Sequence, residues 1–344
     1  MVHDTKSGPP ALPPQALLLD MLCGMMKTQA IHEAARLQIA DLVKDGPKST
    51  VELAEATGTD PASLYRLLST LASLDIFVEV EPDYFAQTPL SNLLRPDVHG
   101  SMYDVTLIHG EQWQWRPWEA FSYSLETGKP AFDSMFGEDL WNYFAKHPID
   151  RERFQKAMAG FSAQVDMPIA IGYDFSSIHT LVDVGGGYGS LLTTILKANP
   201  AMQGILFDSP AVIEGARAHI EASGLANRCT LIAGDVLEAV PAGADAYILK
   251  QVIKDWDDLH CIRILSNCRQ AMKRGGKVLV AEQVLLPGRA MSTSKLIDLQ
   301  LMVVLSGRER YEAQFRRLFE AAGLQLGKIW PTKSLYSILE GVVR

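Results

Sequence analysis

Residues 181–189 read Leu-Val-Asp-Val-Gly-Gly-Gly-Tyr-Gly, an apolar run that ends in an acid and passes directly into a glycine-rich turn. An apolar stretch at helical spacing, Leu191–Leu196, comes next, and a second apolar run, Gly204–Asp208, ends in another acid. A buried strand, a tight turn and a helix in immediate succession indicate the first unit of a parallel sheet. The glycines at positions 185, 187 and 189 allow the backbone of this turn to approach a ligand closely.

The alternation of strands and helices continues to the end of the chain. The predicted strands are Thr180–Val184, Gly204–Phe207, Thr230–Ile232, Ala246–Leu249 and Lys277–Glu282, and the predicted helices are Leu191–Ala198, Ala211–Ala222, Leu259–Met272 and Glu312–Ala322. Two final strand-like runs are Leu324–Ile329 and Leu335–Val343. This order predicts a Rossmann-like, doubly wound α/β sheet over residues 171–344, parallel and covered by helices on both faces.

The first part of the chain has a different pattern. Residues 15–45 carry apolar side chains at helical spacing, and Ser49 or Thr50 caps a short helix. A second helix follows and reaches Leu74, and residues 76–80 and 84–88 form a two-stranded wing. We predict a mainly helical winged-helix domain over residues 15–100. Residues 1–14 lack the pattern of a signal peptide, and we expect a flexible tail there.

A winged helix raises the possibility of a DNA-binding regulator. Residues 50–95 contain seven acidic and two basic residues, and the whole chain carries a net charge of −8. Binding to the phosphate backbone requires several Lys or Arg side chains on one surface. The charge therefore favours a packing or dimerisation module and no nucleic-acid partner, with DNA binding as the weaker alternative.

The composition places the protein among ordinary globular chains. Of its 344 residues, 47% are hydrophobic and 21% are charged, and no apolar run approaches the ~18 residues of a membrane span. The four cysteines form no Cys-x-x-Cys pair, and no His, Cys, Asp or Glu cluster has metal-ligand spacing. We expect a cytoplasmic protein with buried thiols, no metal and no membrane partner.

Acids at the ends of successive strands suggest a nucleoside-containing cofactor. Asp183 ends the first strand, Asp208 is placed to accept ribose hydroxyls, and Asp235 is placed to accept an adenine amino group beside Val236. The NAD fingerprint G-x-G-x-x-G/A has Ser190 where its last small residue belongs. The G-x-G-x-G form after an acid favours the cationic, phosphate-free cofactor S-adenosylmethionine, with NAD as the alternative.

The sequence downstream carries a resemblance to a known family. The quoted stretches are Tyr-Ile-Leu-Lys-Gln-Val-Ile-Lys-Asp-Trp-Asp-Asp at 247–258, Gly-Gly-Lys-Val-Leu-Val-Ala-Glu at 275–282 and Gly-Arg-Glu-Arg at 307–310. Together they resemble the class I S-adenosylmethionine-dependent small-molecule O-methyltransferases, the family of caffeate, acetylserotonin and phenazine methyltransferases. The resemblance covers nearly the whole chain and implies that the winged-helix domain serves dimerisation.

The resemblance implies roles for individual residues. The implied cofactor contacts are Gly185, Gly187, Asp208, Asp235, Val236, Lys250, Met158 and Ser162. The implied catalytic positions are Lys254, Glu282 and Glu309. Candidate substrate contacts are His109, Trp113, Asp298 and Met302, of which the first two lie in or near an aromatic-rich helical connector predicted over residues 101–170. This connector is expected to line the acceptor pocket.

Lys254 stands where the family usually has a catalytic histidine before Asp-Trp. A histidine with a pKa of ~6.5 accepts a proton at pH 7, whereas a lysine with a pKa of ~10.4 is already protonated. Three readings stay open. Lys254 holds a substrate anion in a methyl transfer that needs no base, or it polarises a carbonyl in a non-methylating reaction, or it pairs with Glu282 or Glu309 without a chemical role.

The residues and the resemblance together predict a homodimeric enzyme of secondary metabolism. Its reaction is methyl transfer from S-adenosylmethionine to oxygen or nitrogen of a small aromatic or conjugated metabolite. The alternative is a relative of this family that binds the same cofactor and carries out a decarboxylation, hydroxylation, pericyclic or isomerisation step.

Overall fold

The computed structural model describes residues 13–288 and 293–343, except for the side chains of residues 161–164. The chain forms two compact units, which meet in sequence between Glu111 and Gln112. Most of the tail predicted at residues 1–14 lies outside the described residues, and Pro14 already begins the first helix. The predicted boundaries of the connector, at residues 101 and 170, stay predictions.

The N-terminal unit consists of helices around a small antiparallel sheet. Its elements are α1 (Pro14–Leu22), α2 (Gly24–Arg36), α3 (Ile39–Leu42), β1 (Lys48–Ser49), α4 (Thr50–Thr57), α5 (Pro61–Ala72), β2 (Phe77–Glu81), β3 (Tyr84–Gln87), α6 (Pro89–Asn92) and α7 (Tyr103–Gly110). The predicted helix pair and wing are present, and the two-residue strand β1 adds a third strand beside β3. Ser49 caps α4 in a reciprocal capping box with Glu52, and Asp60 caps α5.

The second unit begins with short helices and continues into the large sheet. Its elements before the sheet are α8 (Gln112–Trp115), a 3₁₀ turn (Arg116–Ala120), α9 (Phe121–Thr127), α10 (Ala131–Phe136), α11 (Leu140–Lys146) and α12 (Pro148–Gly172). The elements of the sheet domain are β4 (Thr180–Val184), α13 (Ser190–Ala198), β5 (Gln203–Asp208), α14 (Pro210–Ala222), β6 (Cys229–Ala233), β7 (Ala246–Lys250), a second 3₁₀ turn (Ile253–Asp255), α15 (Asp258–Ala271), β8 (Lys277–Leu285), α16 (Thr293–Val304), β9 (Arg310–Tyr311), α17 (Glu312–Ala321), β10 (Gln325–Pro331) and β11 (Tyr336–Val342).

The sheet has the strand order β10-β11-β8-β7-β4-β5-β6, with β9 attached to β8. Strands β4 to β8 are parallel, as the alternation of strands and helices predicts. The prediction of a wholly parallel sheet was wrong at the end of the chain, because β11 lies antiparallel between β8 and β10. A short connection between β10 and β11 allows a hairpin, whereas a parallel pair needs a long crossover.

Two apolar layers cover the faces of this sheet. One contains Leu192, Leu206 and Ile248, and the other contains Val182, Leu249 and Phe319, all with at most 1% of their surface exposed. Central strands buried on both faces explain the continuous apolar runs in the sequence. Within residues 13–288 and 293–343, no helix combines the length and the apolar character needed to cross a bilayer.

The turn after β4 depends on its glycines. Gly185, Gly187 and Gly189 have φ angles of +65°, +58° and +82°, which glycine adopts without strain. Gly186 matters for a different reason, because a Cβ placed there would lie 2.5 Å from Leu206 Cδ1 and 2.6 Å from Asp183 Cγ. The turn therefore packs directly against the carboxyl ends of β4 and β5.

We expect Gly186→Ala to destabilise the sheet domain by roughly 1–3 kcal/mol, because the added methyl group overpacks a buried contact. Urea unfolding monitored by circular dichroism measures this loss. Gly24→Ala is the control, since a Cβ at Gly24 meets no atom within 4 Å. Equal stability of the two variants would contradict the packing assigned to this turn.

Candidate active site

Asp208 joins the end of β5 to the glycine-rich turn. Its Oδ2 accepts a hydrogen bond from the Gly187 N–H at 2.9 Å, and its Oδ1 accepts one from the Ser209 N–H at 2.7 Å. Burial raises the pKa of Asp208, although both backbone donors oppose this rise. The two bonds fix the carboxylate beside the turn, at the sheet edge where ligands of such folds bind.

A buried charge cluster lies behind the turn. Lys250, at the end of β7, pairs with Asp166 of α12 at 2.5 Å, and the Ser190 hydroxyl donates to the other oxygen of Asp166 at 2.5 Å. Asp183 is 1% exposed, and its Oδ2 has no hydrogen-bond partner among the described residues. Burial raises the pKa of Asp183 to about 7, while the charge of Lys250 opposes the rise.

Asp166 was not predicted from the sequence. It lies within an otherwise apolar stretch, Val165-Asp166-Met167-Pro168-Ile169, and is 2% exposed. A single acid on the buried side of an apolar helix was the available signal, because a buried charge requires a partner. The structure supplies that partner as Lys250, which the resemblance assigns to the cofactor.

The third predicted acid lies in the loop after β6, the strand at one edge of the sheet. Asp235 is exposed and accepts a hydrogen bond from the Leu237 N–H at 2.8 Å, which shapes the loop after β6. The Val236 carbonyl accepts a bond from Asn267 at 2.8 Å. An open cavity of about 270 Å³ is lined by Asp235, Phe207, Ile232 and Val240 among others. Met158 is half-buried on α12, and the side chain of Ser162 lies outside the described residues.

Lys254 lies in the 3₁₀ turn after β7, where its ammonium group is enclosed by acids. Its Nζ pairs with Asp255 Oδ1 at 2.8 Å, and its backbone N–H donates to Glu282 Oε1 at 3.3 Å. Burial alone lowers the pKa of Lys254, but the charges of Asp255, Glu282 and Glu309 outweigh it and raise the pKa above its ordinary value. Lys254 therefore carries its proton at neutral pH. The third reading expected Lys254 to pair with Glu282 or Glu309. Its ion-pair partner is instead Asp255.

The two glutamates beside Lys254 are deeply buried. Glu282 is 0% exposed and Glu309 is 4% exposed, and the Oε2 atom of each has no hydrogen-bond partner in the described part of the chain. Burial and the charge of Glu309 raise the pKa of Glu282 to about 8. Burial also raises the pKa of Glu309 to about 7, while the charge of Lys254 opposes this rise.

Arg310 holds the turn that carries Lys254. The guanidinium donates to the carbonyls of Ile253 and Trp256, each at 2.8 Å, and pairs with Asp258 at 2.9 Å. Arg310 is 0% exposed, and sequence reasoning did not identify its role. Gly307 packs against the same turn so closely that a Cβ there would lie 2.0 Å from the Lys254 carbonyl oxygen.

A second set of polar contacts ties this turn to the end of the sheet. Gln251, which has a φ of +58°, donates from Nε2 to the Tyr336 hydroxyl at 2.6 Å. Burial raises the pKa of Tyr336 to about 12. Gln283 also contacts this hydroxyl and accepts a hydrogen bond from Ser294. These contacts join β7, β8, β11 and α16 at one end of the sheet.

The four predicted substrate contacts have different surroundings. Trp113 is 3% exposed and packs edge-on against Phe144, with ring centroids 5.1 Å apart. Asp298 Oδ1 accepts the Glu309 N–H at 2.7 Å, and Met302 is half-buried on the same helix, α16. His109 belongs to the N-terminal unit, where its Nδ1 lies 2.7 Å from the Val105 carbonyl. Substrate contact by these residues stays a prediction.

Comparisons with known proteins were made against this geometry. Residues 118–325 match the family model of the O-methyltransferase domain, and residues 19–97 match that of the O-methyltransferase dimerisation domain. A phenazine O-methyltransferase of Lysobacter antibioticus is 42% identical over 340 residues, which cover 99% of each chain. A phenazine-1-carboxylate N-methyltransferase of Pseudomonas aeruginosa is 34% identical over 91% of this chain and 92% of its own.

A solved structure adds a ligand-bound relative. The methyltransferase CalO1 of calicheamicin biosynthesis, in its S-adenosylhomocysteine-bound form, superimposes with a TM-score of 0.82 at 34% identity. The match covers 96% of this chain and 98% of that one.

We expect Lys250→Met to cost about 3–5 kcal/mol at pH 7, because it leaves Asp166 and Asp183 buried without their cation. The loss shrinks as the pH falls, since Asp183, whose pKa burial raises to about 7, then takes up a proton. Urea unfolding at several pH values measures it.

Lys273→Met is the matched control. Lys273 also pairs with an aspartate, Asp245, at 3.0 Å, but its side chain is 49% exposed, so we expect a loss of about 0–1 kcal/mol. Similar losses in the two variants would contradict the buried pair.

Proposed function

Since this chain belongs to the O-methyltransferase family, we propose that it transfers the methyl group of S-adenosylmethionine to a small aromatic metabolite. The chain is a methyltransferase, as its domain match and its relatives establish. The single observation that carries the cofactor assignment is the glycine turn after β4 with Asp208 fixed against it. The relatives named for phenazine substrates support an aromatic acceptor with an oxygen or nitrogen nucleophile.

The residues around the turn fit this cofactor. Asp208 and Asp235 offer carboxylate oxygens to hydroxyl and amino groups, and Gly185 and Gly187 leave the turn without side chains. The unpartnered Oδ2 of Asp183 belongs to a further buried carboxyl group behind the turn. A cationic, phosphate-free ligand suits this set of acids better than a pyrophosphate does. When bound, the cofactor supplies an electrophilic methyl group on sulfonium.

Lys254 has an electrostatic role in this proposal. An ammonium enclosed by Asp255, Glu282 and Glu309 has no lone pair with which to accept a proton. Its charge instead allows these acids to stay in a buried site. Its side chain is 15% exposed, and we assign to this exposed part the orientation of an electron-rich acceptor.

The enzyme is a homodimer, since residues 19–97 match the dimerisation domain of the family. Apolar side chains on α1 support this assembly: Leu18, Leu19, Met21 and Leu22 are 59–69% exposed. We place the enzyme in the cytoplasm, because Cys229, Cys261 and Cys268 are buried free thiols.

Asp208→Asn is expected to weaken S-adenosylmethionine binding about 10- to 100-fold, because hydrogen bonds to a charged group contribute about 1.5–3 kcal/mol. Isothermal calorimetry with S-adenosylmethionine and S-adenosylhomocysteine measures the change.

The control for this variant is Asp245→Asn. Asp245 also accepts two backbone N–H groups, from His179 and Thr180, but it lies at the amino end of β4. The Asp245→Asn variant should bind S-adenosylmethionine as tightly as the wild type does. No binding of either ligand by the wild type at millimolar concentration would overturn the cofactor assignment.

Lys254→Met is expected to lower methyl transfer at least 100-fold, because three buried acids lose their cation, whereas Lys254→Arg keeps the charge and is expected to retain more activity. A general base contributes about 10²- to 10⁴-fold to the rate. If Lys254 were that base, both variants would lose activity equally, because neither Met nor Arg can accept the proton. Turnover is measured as the S-adenosylhomocysteine formed from S-adenosylmethionine when the acceptor is a hydroxyphenazine or 3-amino-4-hydroxybenzoate. Product without S-adenosylhomocysteine would contradict methyl transfer.

A further inference from the structure

The cluster around Lys254 contains more negative than positive groups. Asp255, Glu282 and Glu309 all act on the single ammonium of Lys254. Burial raises the pKa of each of the three acids. Three ionised carboxylates and one ammonium would leave two uncompensated charges inside the protein, which is costly. We therefore expect the cluster to bind a proton reversibly.

Arg310 does not neutralise this excess. Its guanidinium donates hydrogen bonds to the carbonyls of Ile253 and Trp256 and forms an ion pair with Asp258. It lowers the pKa of Glu309 less than burial raises it. Asp298, which accepts the Glu309 N–H, adds a further negative charge to the same side.

The geometry leaves two carboxyl oxygens for the proton. Oε2 of Glu282 and Oε2 of Glu309 are buried without a hydrogen-bond partner in the described residues, although the other oxygen of Glu282 accepts the Lys254 N–H. The charges of both glutamates also act on Tyr336, whose hydroxyl accepts a hydrogen bond from Gln251. Buried carboxyl oxygens are normally hydrogen-bonded, so two unpartnered ones on glutamates whose charges act on each other indicate a site for a proton.

The position of the pair in the sheet is suitable for catalysis. Glu282 follows Ala281, which lies opposite Lys250 at the end of β7. Glu309 immediately precedes Arg310 of β9, which lies opposite Val284 on β8. Glu282 therefore lies in the carboxyl-terminal half of β8, and Glu309, at the amino end of β9, lies beside the same end of β8, where the substrates of such folds bind.

We propose that the Glu282–Glu309 pair is the proton acceptor of this enzyme, taking the proton of an acceptor hydroxyl while Lys254 stays an ammonium. This inference rests on the proposed methyl transfer and narrows its substrate class to hydroxyl groups. The acceptor O–H bond breaks and its proton goes to a glutamate carboxylate. The electron pair of the oxygen forms the bond to the methyl carbon, and the methyl–sulfur bond breaks with its electrons left on sulfur.

The pair acts as a base only when it is deprotonated, so activity is lost as the pH falls through about 7, the value to which burial raises the pKa of Glu309. Glu309→Gln and Glu282→Gln are each expected to lower kcat/KM about 10²- to 10⁴-fold and to flatten this pH dependence. The same hydroxyaromatic panel is the probe. Both variants should lose less of their rate with a phenol that is already ionised than with a neutral phenol.

Infrared difference spectroscopy tests the proton site without cofactor or acceptor. Wild type minus Glu309→Gln, and wild type minus Glu282→Gln, should show a protonated-carboxyl band at pH 6 that disappears at pH 9. Glu340→Gln is the control, since Glu340 is a half-buried glutamate that bonds Tyr173 and Lys277 at the amino end of β8. Its difference spectrum gives the background signal of a glutamate-to-glutamine substitution, against which the band is judged.

The two proposals fail in distinguishable ways. A wild-type enzyme that binds no S-adenosylmethionine and releases no S-adenosylhomocysteine, yet shows the infrared band, overturns the methyl transfer and with it the role of the glutamates in that reaction, but leaves them as a proton site. An active wild type whose glutamate variants keep both its rate and its pH profile, with no band at pH 6, overturns the proton acceptor. Glu309→Asp, which keeps the carboxyl group, should regain part of the activity if folding is intact by circular dichroism.

Discussion

An ionised group can stay inside a protein only when an opposite charge or several hydrogen bonds compensate for the lost water. This constraint accounts for much of the architecture at the carboxyl end of the sheet. Lys250 is compensated by Asp166, Arg310 by carbonyls and Asp258, and Lys254 by Asp255 with two glutamates. The pairs Lys250–Asp166 and Arg310–Asp258 join segments that are distant in sequence, so charge compensation also fixes where the loops of the site lie.

The same constraint changes the chemistry at the position where the family usually has a histidine. A neutral imidazole accepts a proton at pH 7. When the residue is Lys254, the acids keep the lysine charged, and their own burial raises their affinity for protons. In our proposal, the acids around Lys254 take over the basic function that the histidine has in the family.

Local patterns in the sequence predicted the parallel part of the fold and the acids at the strand ends. The strand β4, its glycine turn and Asp208 are contiguous or nearly so, and their spacing carries the prediction. The antiparallel strand β11 was not predicted in its place, because its partner β8 lies about fifty residues earlier and pairing leaves no local trace. Asp166 and Arg310 were missed for the same reason, since their partners are 84 and 52–57 residues away.

The protonation state of Lys254 tests the account most directly. Nuclear magnetic resonance of the lysine ε-carbons in ¹³C-labelled enzyme, with the Lys254 signal assigned by its loss in Lys254→Arg, follows this group as the pH rises. The account predicts no titration of Lys254 between pH of about 6 and 10, because its acids hold the pKa above the ordinary lysine value of ~10.4. A titration midpoint below pH of about 9 would contradict it, since an amine that loses its proton so readily could serve as the base itself.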